Sequence, residues 1–276
     1  MNASLIVITY NSLRTLPTFF DTLKQTQAVT YEVIAVDNAS SDGTLAFLQQ
    51  QPQLRVIANT VNQGFGRAAN QGAAIANGDV LIFLNPDVWF TPEWLQQLQQ
   101  TLMREEQAAI ICPATLLADT PIPPAVQFVR DRVPGSAMLV RREAWQQLGG
   151  FDPQIFLYWE DTDLCWRAWL AGYRVIADHA AIVYHERGGS GGGSRWVAEY
   201  TRNGIYVHLK LMPWRRVWRF VGRQAIASIA RMVRGYGGIP AAWWWNIRHL
   251  RSTYRQRRQL LRQKQRELAE LDRLID

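Results

Sequence analysis

Short apolar runs rich in β-branched residues alternate with segments of helical length through the first third of the chain. The runs are SLIVITY, YEVIAVD, LRVIAN and DVLIFLN, at residues 4–10, 31–37, 54–59 and 79–85. Helix-like segments separate them near residues 12–27, 42–51 and 66–77. This spacing predicts an α/β fold in which helices cover both faces of a doubly wound, mostly parallel sheet.

Beyond residue 103 the pattern is less regular, but it still indicates strands and helices. We expect strands at residues 108–112, 135–141 and 174–185, and helices at residues 142–148 and in the second half of 156–173. The run GGSGGGS at residues 188–194 predicts a mobile loop that closes a first domain of residues 1–194. Residues 195–276 then form a C-terminal helical extension.

The net charge of +7 is divided unevenly along the chain. Residues 1–189 carry 12 Lys and Arg against 18 Asp and Glu, a net charge of −6, whereas residues 190–276 carry 18 against 5, a net charge of +13. Because charges of opposite sign attract different ligands, we expect the two parts to have different partners.

Composition excludes several classes of protein. A hydrophobic content of 48% in 276 residues excludes disorder over most of the chain. Cys112 and Cys165 lie in no C-x-x-C or Cys/His cluster, which excludes a disulfide framework and argues against structural zinc. The N-terminus lacks a basic region, no uncharged apolar stretch reaches about 18 residues, and no P-loop motif occurs. We therefore expect a cytoplasmic protein with no spanning helix and no P-loop ATP chemistry.

Polar residues follow each of the four predicted parallel strands, at the sheet edge where such folds bind ligands. They are Asn11, Asp37 with Asn38, Asn62 with Gly64, and Asn85 with Asp87. Asp37 can accept a hydrogen bond from an imide N–H or a ribose hydroxyl, or it can support a turn in which Asp42 caps the next helix. Asp87 can share a divalent cation with a diphosphate, although an ordinary β-turn gives the same pattern.

A second group of titratable residues lies between residues 156 and 185. Glu160 and Asp161 follow Trp159 in an aromatic setting, which raises the proton affinity of a carboxylate as a general base requires. Adjacent carboxylates at a helix start also serve as caps, and that alternative stays open. His185 ends an apolar run beside the Gly-rich loop, which could fold over a substrate. A lone histidine is more often structural, but a neutral imidazole here could supply one metal contact.

The segment from Gly64 to Ala69 matches G-x-G-x-x-A and opens a predicted helix. The dinucleotide fingerprint belongs in the first strand-to-helix turn, and here that turn, residues 9–12, has no glycine. We interpret the segment as a Gly-rich helix start near a nucleotide or sugar, with Asn62 and Asn70 as polar contacts.

Seven motifs occur in a definite order along the chain: VITYNS, VDNASSDGT, NQGFGRAANQG, LNPDV, GSAMLVRREAWQQLGGFD, FLYWEDTDLCWRAWLAGYRV and YHERGGSGG. Together they span roughly residues 3–192 and resemble the family 2 glycosyltransferases, most closely the bacterial rhamnosyltransferase branch that builds cell-surface polysaccharide. The resemblance implies a GT-A fold, a nucleotide-diphospho-sugar donor and a divalent cation, Mg²⁺ or Mn²⁺. It also implies transfer by single displacement, with inversion at the anomeric carbon.

The resemblance assigns nucleotide-binding roles to residues at the strand ends. Tyr10 and Asp37 would hold the nucleoside base, with Asn38 beside them. Asn70 would lie near the ribose or the diphosphate.

The resemblance also assigns the chemical roles. Asp87 matches the last carboxylate of the family's D-x-D motif, which touches the metal, and Asn85 stands where that motif has its first aspartate. Asp161, preceded by Glu160 in Trp-Glu-Asp, would be the base that deprotonates the acceptor hydroxyl. His185 matches a late histidine that binds the metal or the diphosphate.

The basic tail begins with PWRRVWRFVGRQAIASIARMVR at residues 213–234, outside the resemblance. In a helix its arginines lie on one face (Arg215, Arg219, Arg223 and Arg231) and its apolar residues largely on the other (Trp214, Val217, Trp218, Val221, Ile229 and Val233). This pattern favours a helix lying on an anionic membrane surface, the alternative being a helix packed on the first domain.

A polar helix is predicted over residues 243–275. Apolar residues recur in it at heptad spacing: Ile247, Leu250, Tyr254, Leu261, Leu268, Leu271 and Ile275. The pattern fits a weak coiled coil that forms a homo-oligomer, or equally a helix lying on lipid or on the first domain.

The leading hypothesis is a glycosyltransferase at the cytoplasmic face of the inner or plasma membrane. It would pass a sugar, L-rhamnose first of all, to a lipid-linked or growing surface glycan. The alternatives are another hexose or pentose donor on the same fold, a non-catalytic nucleotide-sugar-binding protein, or a tail that binds nucleic acid. Nucleic acid is not the expected partner, because the apolar residues of the tail form a face rather than being interspersed with the arginines.

Overall fold

The computed structural model describes residues 1–27, 29–186, 193–262 and 264–275. These residues form nine strands: β1 Ala3–Thr9, β2 Tyr31–Asp37, β3 Leu54–Ala58, β4 Val80–Leu84, β5 Val88–Phe90, β6 Ala108–Leu116, β7 Gln127–Val129, β8 Ala137–Arg141 and β9 Arg174–His185. They also form ten helices: α1 Leu16–Leu23, α2 Thr44–Gln49, α3 Phe65–Ile75, α4 Trp94–Arg104, α5 Arg142–Leu148, α6 Glu160–Leu170, α7 Ser194–Leu211, α8 Trp214–Val233, α9 Ile239–Leu260 and α10 Gln265–Leu274. Most of the predicted Gly/Ser loop lies outside the described residues.

All nine strands belong to one sheet, in the order β3-β2-β1-β4-β8-β6-β9-β5, with β7 paired to β9. Strands β1 to β4 are parallel, whereas β8 runs antiparallel to β4. The chain order reverses beside β1, because β2 and β3 lie on one side of it and β4 lies on the other. A doubly wound sheet opens a crevice at such a reversal, at the carboxyl ends of the strands.

Alternate residues of each strand enter one of two cores, one on each face of the sheet. Ile6 and Ile8 of β1 pack in a core with residues of α3, α5 and α6, while Leu5 and Val7 pack in a core with residues of α1 and α4. Every residue of β4 is buried, as expected for a central strand covered on both faces. The predicted α/β architecture is confirmed, and the first four strands agree with the predicted runs to within one residue at each end.

The helical extension shares one of these cores. Tyr206, Val207 and Leu211 of α7 are buried in the same cluster as Ile6, and α10 adds Leu271. The C-terminal half of α7 therefore packs directly onto the α/β body. No helix within the described ranges is both long enough and apolar enough to span a membrane.

One detail of the predicted extension is wrong. Residues 243–275 do not form one continuous helix, because α9 ends at Leu260 and α10 begins at Gln265. Of the alternatives for the heptad pattern, its C-terminal members follow the one in which the helix lies on the first domain, since they pack on the core: Leu261, Leu268, Leu271 and Ile275.

The predicted arginine face of α8 is also divided. Arg215 forms an ion pair with Asp272 of α10, and Arg231 donates a hydrogen bond to Thr201 Oγ1 of α7 at 2.9 Å. Val217 is buried. Helix α8 therefore holds both arginines and apolar residues against the protein, and only the rest of its surface is exposed.

Candidate active site

A cleft of about 370 Å³ opens at the carboxyl ends of the parallel strands, where the strand order reverses. Seven of the predicted binding residues line it: Tyr10, Asn11, Asn38, Asn62, Gly64, Asn85 and Asp87. The prediction that these strand ends converge is therefore confirmed by the geometry. Asp37, Asn70, Glu160, Asp161 and His185 do not line this cleft.

The loop after β1 presents a free aromatic ring to the cleft. Tyr10 is 50% exposed. The next residue, Asn11, has a left-handed backbone (φ 50°), and its side-chain Oδ1 accepts a hydrogen bond from Ser41 N at 2.8 Å. Asparagine tolerates this conformation because its short side chain bonds locally. Asn11 is thus fixed by the neighbouring loop, while the Tyr10 ring is available to a ligand.

Asp37 supports this region from beneath rather than facing the cleft. Its side chain is fully buried and accepts hydrogen bonds from Thr9 Oγ1 at 2.9 Å, Ser40 Oγ at 2.5 Å and Ser40 N at 3.0 Å. In this conformation Asp37 is held by local donors and is not exposed to the cleft, and its contact with a nucleoside base stays a prediction. Asp42 accepts a hydrogen bond from Thr44 N at 3.0 Å and caps α2 as predicted.

The start of α3 is built by close approach of two chain segments. Gly64 has φ 80°, and a Cβ there would lie 2.3 Å from the carbonyl oxygen of Phe156. Asn62 Oδ1 accepts a hydrogen bond from Gly64 N at 2.9 Å, and Asn38 Nδ2 donates one to Gly64 O at 3.2 Å. Only glycine fits here, and its two amide neighbours hold the cleft wall in place.

Asn70 is turned away from the cleft. Its Nδ2 donates to the carbonyl oxygen of Phe151 at 2.9 Å, and its Oδ1 accepts from Phe151 N at 3.0 Å. Asn70 thus supports the turn at Phe151 and does not line the cleft, so its predicted contact with ribose or diphosphate has no support in this geometry and stays a prediction.

Asp87 and His185 come together as the predicted metal pair. Val88 of β5 pairs with His185 of β9, which brings His185 Nε2 to 3.3 Å from Asp87 Oδ1. His185 Nδ1 lies 2.9 Å from the carbonyl oxygen of Glu186, so in the neutral ring Nδ1 carries the proton and the Nε2 lone pair faces the carboxylate. The Asp87 carboxylate raises the pKa of His185.

The Asp87–His185 pair fits a divalent cation. Asp87 Oδ1 is buried and has no hydrogen-bond partner among the described residues. With the ring protonated, Nε2 and Oδ1 at 3.3 Å form an ion pair; with the ring neutral, the same two atoms are placed to serve as two ligands of one ion. No cluster of three or more His, Cys, Asp or Glu that could hold a metal occurs in the described part of the chain, so further ligands would come from the bound substrate or water.

Asp161 lies behind the residues that line the cleft. Its Oδ2 accepts a hydrogen bond from Gly135 N at 3.1 Å, and its Oδ1 accepts one from Thr162 N at 2.5 Å. The residue after Gly135, Ser136, accepts a hydrogen bond from Asn85 N at 2.9 Å, which ties this segment to the end of β4. Desolvation raises the pKa of Asp161.

Glu160 is the more deeply buried of the two adjacent carboxyls. It is 8% exposed, and its Oε2 has no hydrogen-bond partner among the described residues. Desolvation and the charge of Asp161 raise the pKa of Glu160 to about 8. Tyr158 and Trp159, which precede it, both have left-handed backbones, with φ of 67° and 75°. The aromatic setting predicted for these acids is present, and it favours the neutral form of Glu160 near pH 7.

Sequence reasoning missed three side chains that line the cleft. Arg14 donates two hydrogen bonds to Glu186, at 2.7 and 2.8 Å, across the cleft mouth. Trp196 comes from the first turn of α7, so the extension contributes a wall of the cleft. The position of Arg14 just after β1 was a signal in the sequence that could have identified it. Glu186 and Trp196 could be identified only from the three-dimensional structure.

A family model described as "Glycosyl transferase family 2" matches residues 4–171. The chain belongs to glycosyl transferase family 2. A second model, "Glycosyl transferase family group 2", matches residues 125–263 and so reaches into the extension that the sequence motifs left out.

Similar proteins agree with this membership. The N-acetylglucosaminyl-diphospho-decaprenol L-rhamnosyltransferase of Mycobacterium tuberculosis is 26% identical over 277 residues, covering 81% of this chain and 90% of that protein. The mannosyltransferase PcManGT of Pyrobaculum calidifontis, solved with GDP-Man and Mn²⁺, has a TM-score of 0.61 at 18% identity, covering 98% of this chain and 85% of that one. S. aureus TarS residues 1–349, solved with UDP-GlcNAc, has a TM-score of 0.61 at 17% identity, covering 82% and 72%. The chain is a family 2 glycosyltransferase of rhamnosyltransferase-like sequence with a GT-A fold.

Proposed function

We propose that this family 2 glycosyltransferase transfers L-rhamnose, with inversion, from a nucleotide-diphospho-sugar to a lipid-linked or growing surface glycan. One observation carries the proposal: the cleft at the sheet edge brings the free ring of Tyr10 together with Asp87, which contacts His185. Asp161, a desolvated carboxyl outside the cleft lining, is hydrogen-bonded to Gly135 N in the segment next to the end of β4. Sugar transfer requires these three functions, because the nucleotide must be held, the leaving diphosphate neutralised and the acceptor hydroxyl deprotonated.

The cleft suits a nucleotide-diphospho-sugar. The exposed Tyr10 ring offers a stacking surface for the base, and the amides of Asn11, Asn38 and Asn62 stand around it. Two structural neighbours were solved with donors of this class, GDP-Man and UDP-GlcNAc. Both facts support a donor of the same class for this chain.

Asp87 and His185 would hold a divalent cation, Mg²⁺ or Mn²⁺. Such a cation neutralises the charge that develops on the leaving diphosphate. The need for it is greater here because residues 1–189 carry a net charge of −6. The Mn²⁺ in the mannosyltransferase neighbour supports this assignment.

Asp161 would act as the general base. Hydrogen bonds from Gly135 N and Thr162 N orient its carboxylate. As the acceptor oxygen bonds to the anomeric carbon, the bond from that carbon to the diphosphate breaks, and the acceptor proton passes to Asp161. Glu160 would stay protonated near neutral pH, which leaves Asp161 as the charged member of the pair.

The rhamnosyl donor and the lipid-linked acceptor are supported by the mycobacterial relative, whose name states both. Another hexose donor on the same site is the nearest alternative, because sugar identity depends on few pocket contacts. A protein that binds nucleotide-sugar without turnover is the alternative from a different class.

The test is a panel of nucleotide-sugars, including dTDP-L-rhamnose, GDP-mannose and UDP-GlcNAc, assayed for thermal stabilisation and for nucleoside diphosphate release with Mn²⁺. We expect one donor to stabilise the protein and to be turned over. The Asp161→Asn variant should lose about 10²- to 10⁴-fold in turnover while its donor affinity stays within about twofold. Asp119→Asn, an exposed loop change, is the matched control. Donor binding without turnover in the unmodified chain would favour the non-catalytic alternative, and turnover retained in Asp161→Asn would mean that another group is the base.

A further inference from the structure

Large apolar side chains remain exposed on the outer side of α8 and α9. We define the apolar platform as Trp218, Ile226, Ile229, Val233, Trp244 and Ile247, which are 59–83% exposed. Side chains this exposed do not belong to the hydrophobic core. The surface of a soluble protein seldom has so many large apolar side chains on two adjacent helices. The platform therefore indicates a surface that has a partner.

The six residues lie on one side of the molecule. Helices α8 and α9 run antiparallel, because the Arg257 guanidinium lies 4.4 Å from the Trp214 ring centroid and Trp243 Nε1 donates to Ser228 Oγ at 3.0 Å. Each helix buries its inner residues against α7, as shown by Arg231 donating to Thr201 and by Asn246 Nδ2 of α9 donating to the carbonyl oxygen of Arg202. The exposed apolar residues of both helices thus lie on the sides that face away from α7.

The charge around the platform has one sign. Residues 213–262 contain 12 Arg and no Asp, Glu or Lys. Arg219 and Arg223, beside the apolar stripe of α8, form no ion pair among the described residues. A surface with apolar side chains at its centre and unpaired guanidinium groups at its edge is complementary to a layer that is anionic outside and apolar within.

We propose that the apolar platform binds the surface of an anionic lipid bilayer, with α8 and α9 lying in the plane of the headgroups. Trp218 and Trp244 would sit at headgroup depth, Ile229 and Val233 would reach the acyl boundary, and the arginines would contact lipid phosphates. The proposal goes beyond sugar transfer and does not depend on it, since the platform is separate from the cleft residues.

A second copy of the chain fits the same surface less well. Two platforms brought face to face would set the outward arginines of the two copies, among them Arg219 and Arg223, against one another, with no acidic residue in residues 213–262 to pair with them. A nucleic acid would use the arginines but would leave the contiguous aliphatic stripe exposed.

The experiment is co-sedimentation of the full chain with vesicles of phosphatidylglycerol and phosphatidylcholine, compared with vesicles of phosphatidylcholine alone. We expect binding to the anionic vesicles that is at least about tenfold stronger than to the neutral ones and that weakens with salt. The triple variant Trp218→Ser, Ile229→Ser, Trp244→Ser should lose about tenfold or more in vesicle binding. Its three positions are exposed, so circular dichroism and thermal unfolding should match those of the unmodified chain.

The matched control removes three exposed apolar residues elsewhere: Met103→Ser, Ile122→Ser and Val126→Ser. This control should bind vesicles as the unmodified chain does. Equal loss in both triple variants, or unchanged binding in the platform variant, would overturn the proposal. So would a dimer in sedimentation equilibrium that the platform variant dissociates, or DNA binding with no vesicle binding.

Discussion

Asp87 Oδ1 and His185 Nε2 face each other at 3.3 Å across the paired strands β5 and β9. Nδ1 donates to the Glu186 carbonyl, so Nε2 meets the carboxylate as an N–H donor in the imidazolium that Asp87 favours, or with its lone pair in the neutral ring. Two electron-rich atoms at this distance repel each other unless a proton or a cation lies between them. The site is thus arranged to gain from binding a cation.

Asp87→Asn should therefore remove the metal dependence of nucleotide binding. We expect the affinity for the nucleoside diphosphate selected by the donor panel to fall about tenfold in the presence of Mn²⁺, to the level measured with a chelator. Calorimetric titration with and without chelator measures this. Asp119→Asn is the control, and a variant of Asp87 that still responds to Mn²⁺ would contradict the assignment.

Glu160→Gln should change how stability depends on pH. The pKa of Glu160 is about 8 in the folded chain against 4.5 for a free glutamate, so the folded state binds more protons between these values. The free energy of unfolding contributed by this group then falls as pH rises from about 4.5 to 8, and is flat above. Glutamine removes this slope, so the variant should gain stability relative to the unmodified chain as pH rises through this window. Thermal unfolding at pH 5 to 9 measures the difference, and parallel curves for the two proteins would refute it.

Lys210→Met should destabilise the whole chain. Lys210 is 2% exposed, lies 2.6 Å from Asp152 Oδ2 and contacts Asp163, which is fully buried. Removing Lys210 leaves Asp152 without its cation and Asp163 with Arg167 alone, and breaking such a buried cluster costs about 3–5 kcal/mol in the free energy of unfolding. Urea unfolding measures this. Lys24→Met, which breaks an exposed pair with Asp21, is the control and should cost less than about 1 kcal/mol. An equal loss in the free energy of unfolding for the two variants would show that burial of Lys210 does not make its ion pairs more important for stability.

Arg14→Gln should weaken donor binding without affecting stability. Its side chain is 76% exposed, so its pair with Glu186 contributes little to folding, but both residues line the cleft near Asp87. We expect Arg14 to exchange Glu186 for a phosphate oxygen when a diphosphate binds, so glutamine should raise the dissociation constant about three- to tenfold. The melting temperature should stay the same. Arg104→Gln, on the surface of α4, controls for net charge, and an unchanged dissociation constant in Arg14→Gln would exclude the phosphate contact.

The hydrophobic runs in the sequence predicted the central strands and the loops that follow them. The run VLIFL, whose five residues are all buried in β4, could only be a central strand, and the polar residues after it had to lie at the sheet edge. The same reasoning brought Asn11, Asn38 and Asp87 correctly to one cleft.

What the sequence did not reveal is which partner a side chain takes when that partner is distant in sequence or lies in a turn. Asn70 is held by Phe151, 81 residues away, and Arg14 by Glu186, 172 residues away. Asp37 occupies a strand end as predicted, but three local donors consume its oxygens. A periodic pattern indicates where a residue lies and carries no information about which partner its polar atoms choose.

Helix α7 connects the cleft to the outer helices of the extension. Its first turn contributes Trp196 to the cleft, its buried Lys210 joins it to Asp152 and Asp163 of the α/β body, and its outer side carries α8 and α9. Helix α7 therefore contributes to both the cleft and the support of the platform. Deleting the extension would remove Trp196 from the cleft together with the platform, so single side-chain variants, and not a truncation, are needed to separate the two surfaces.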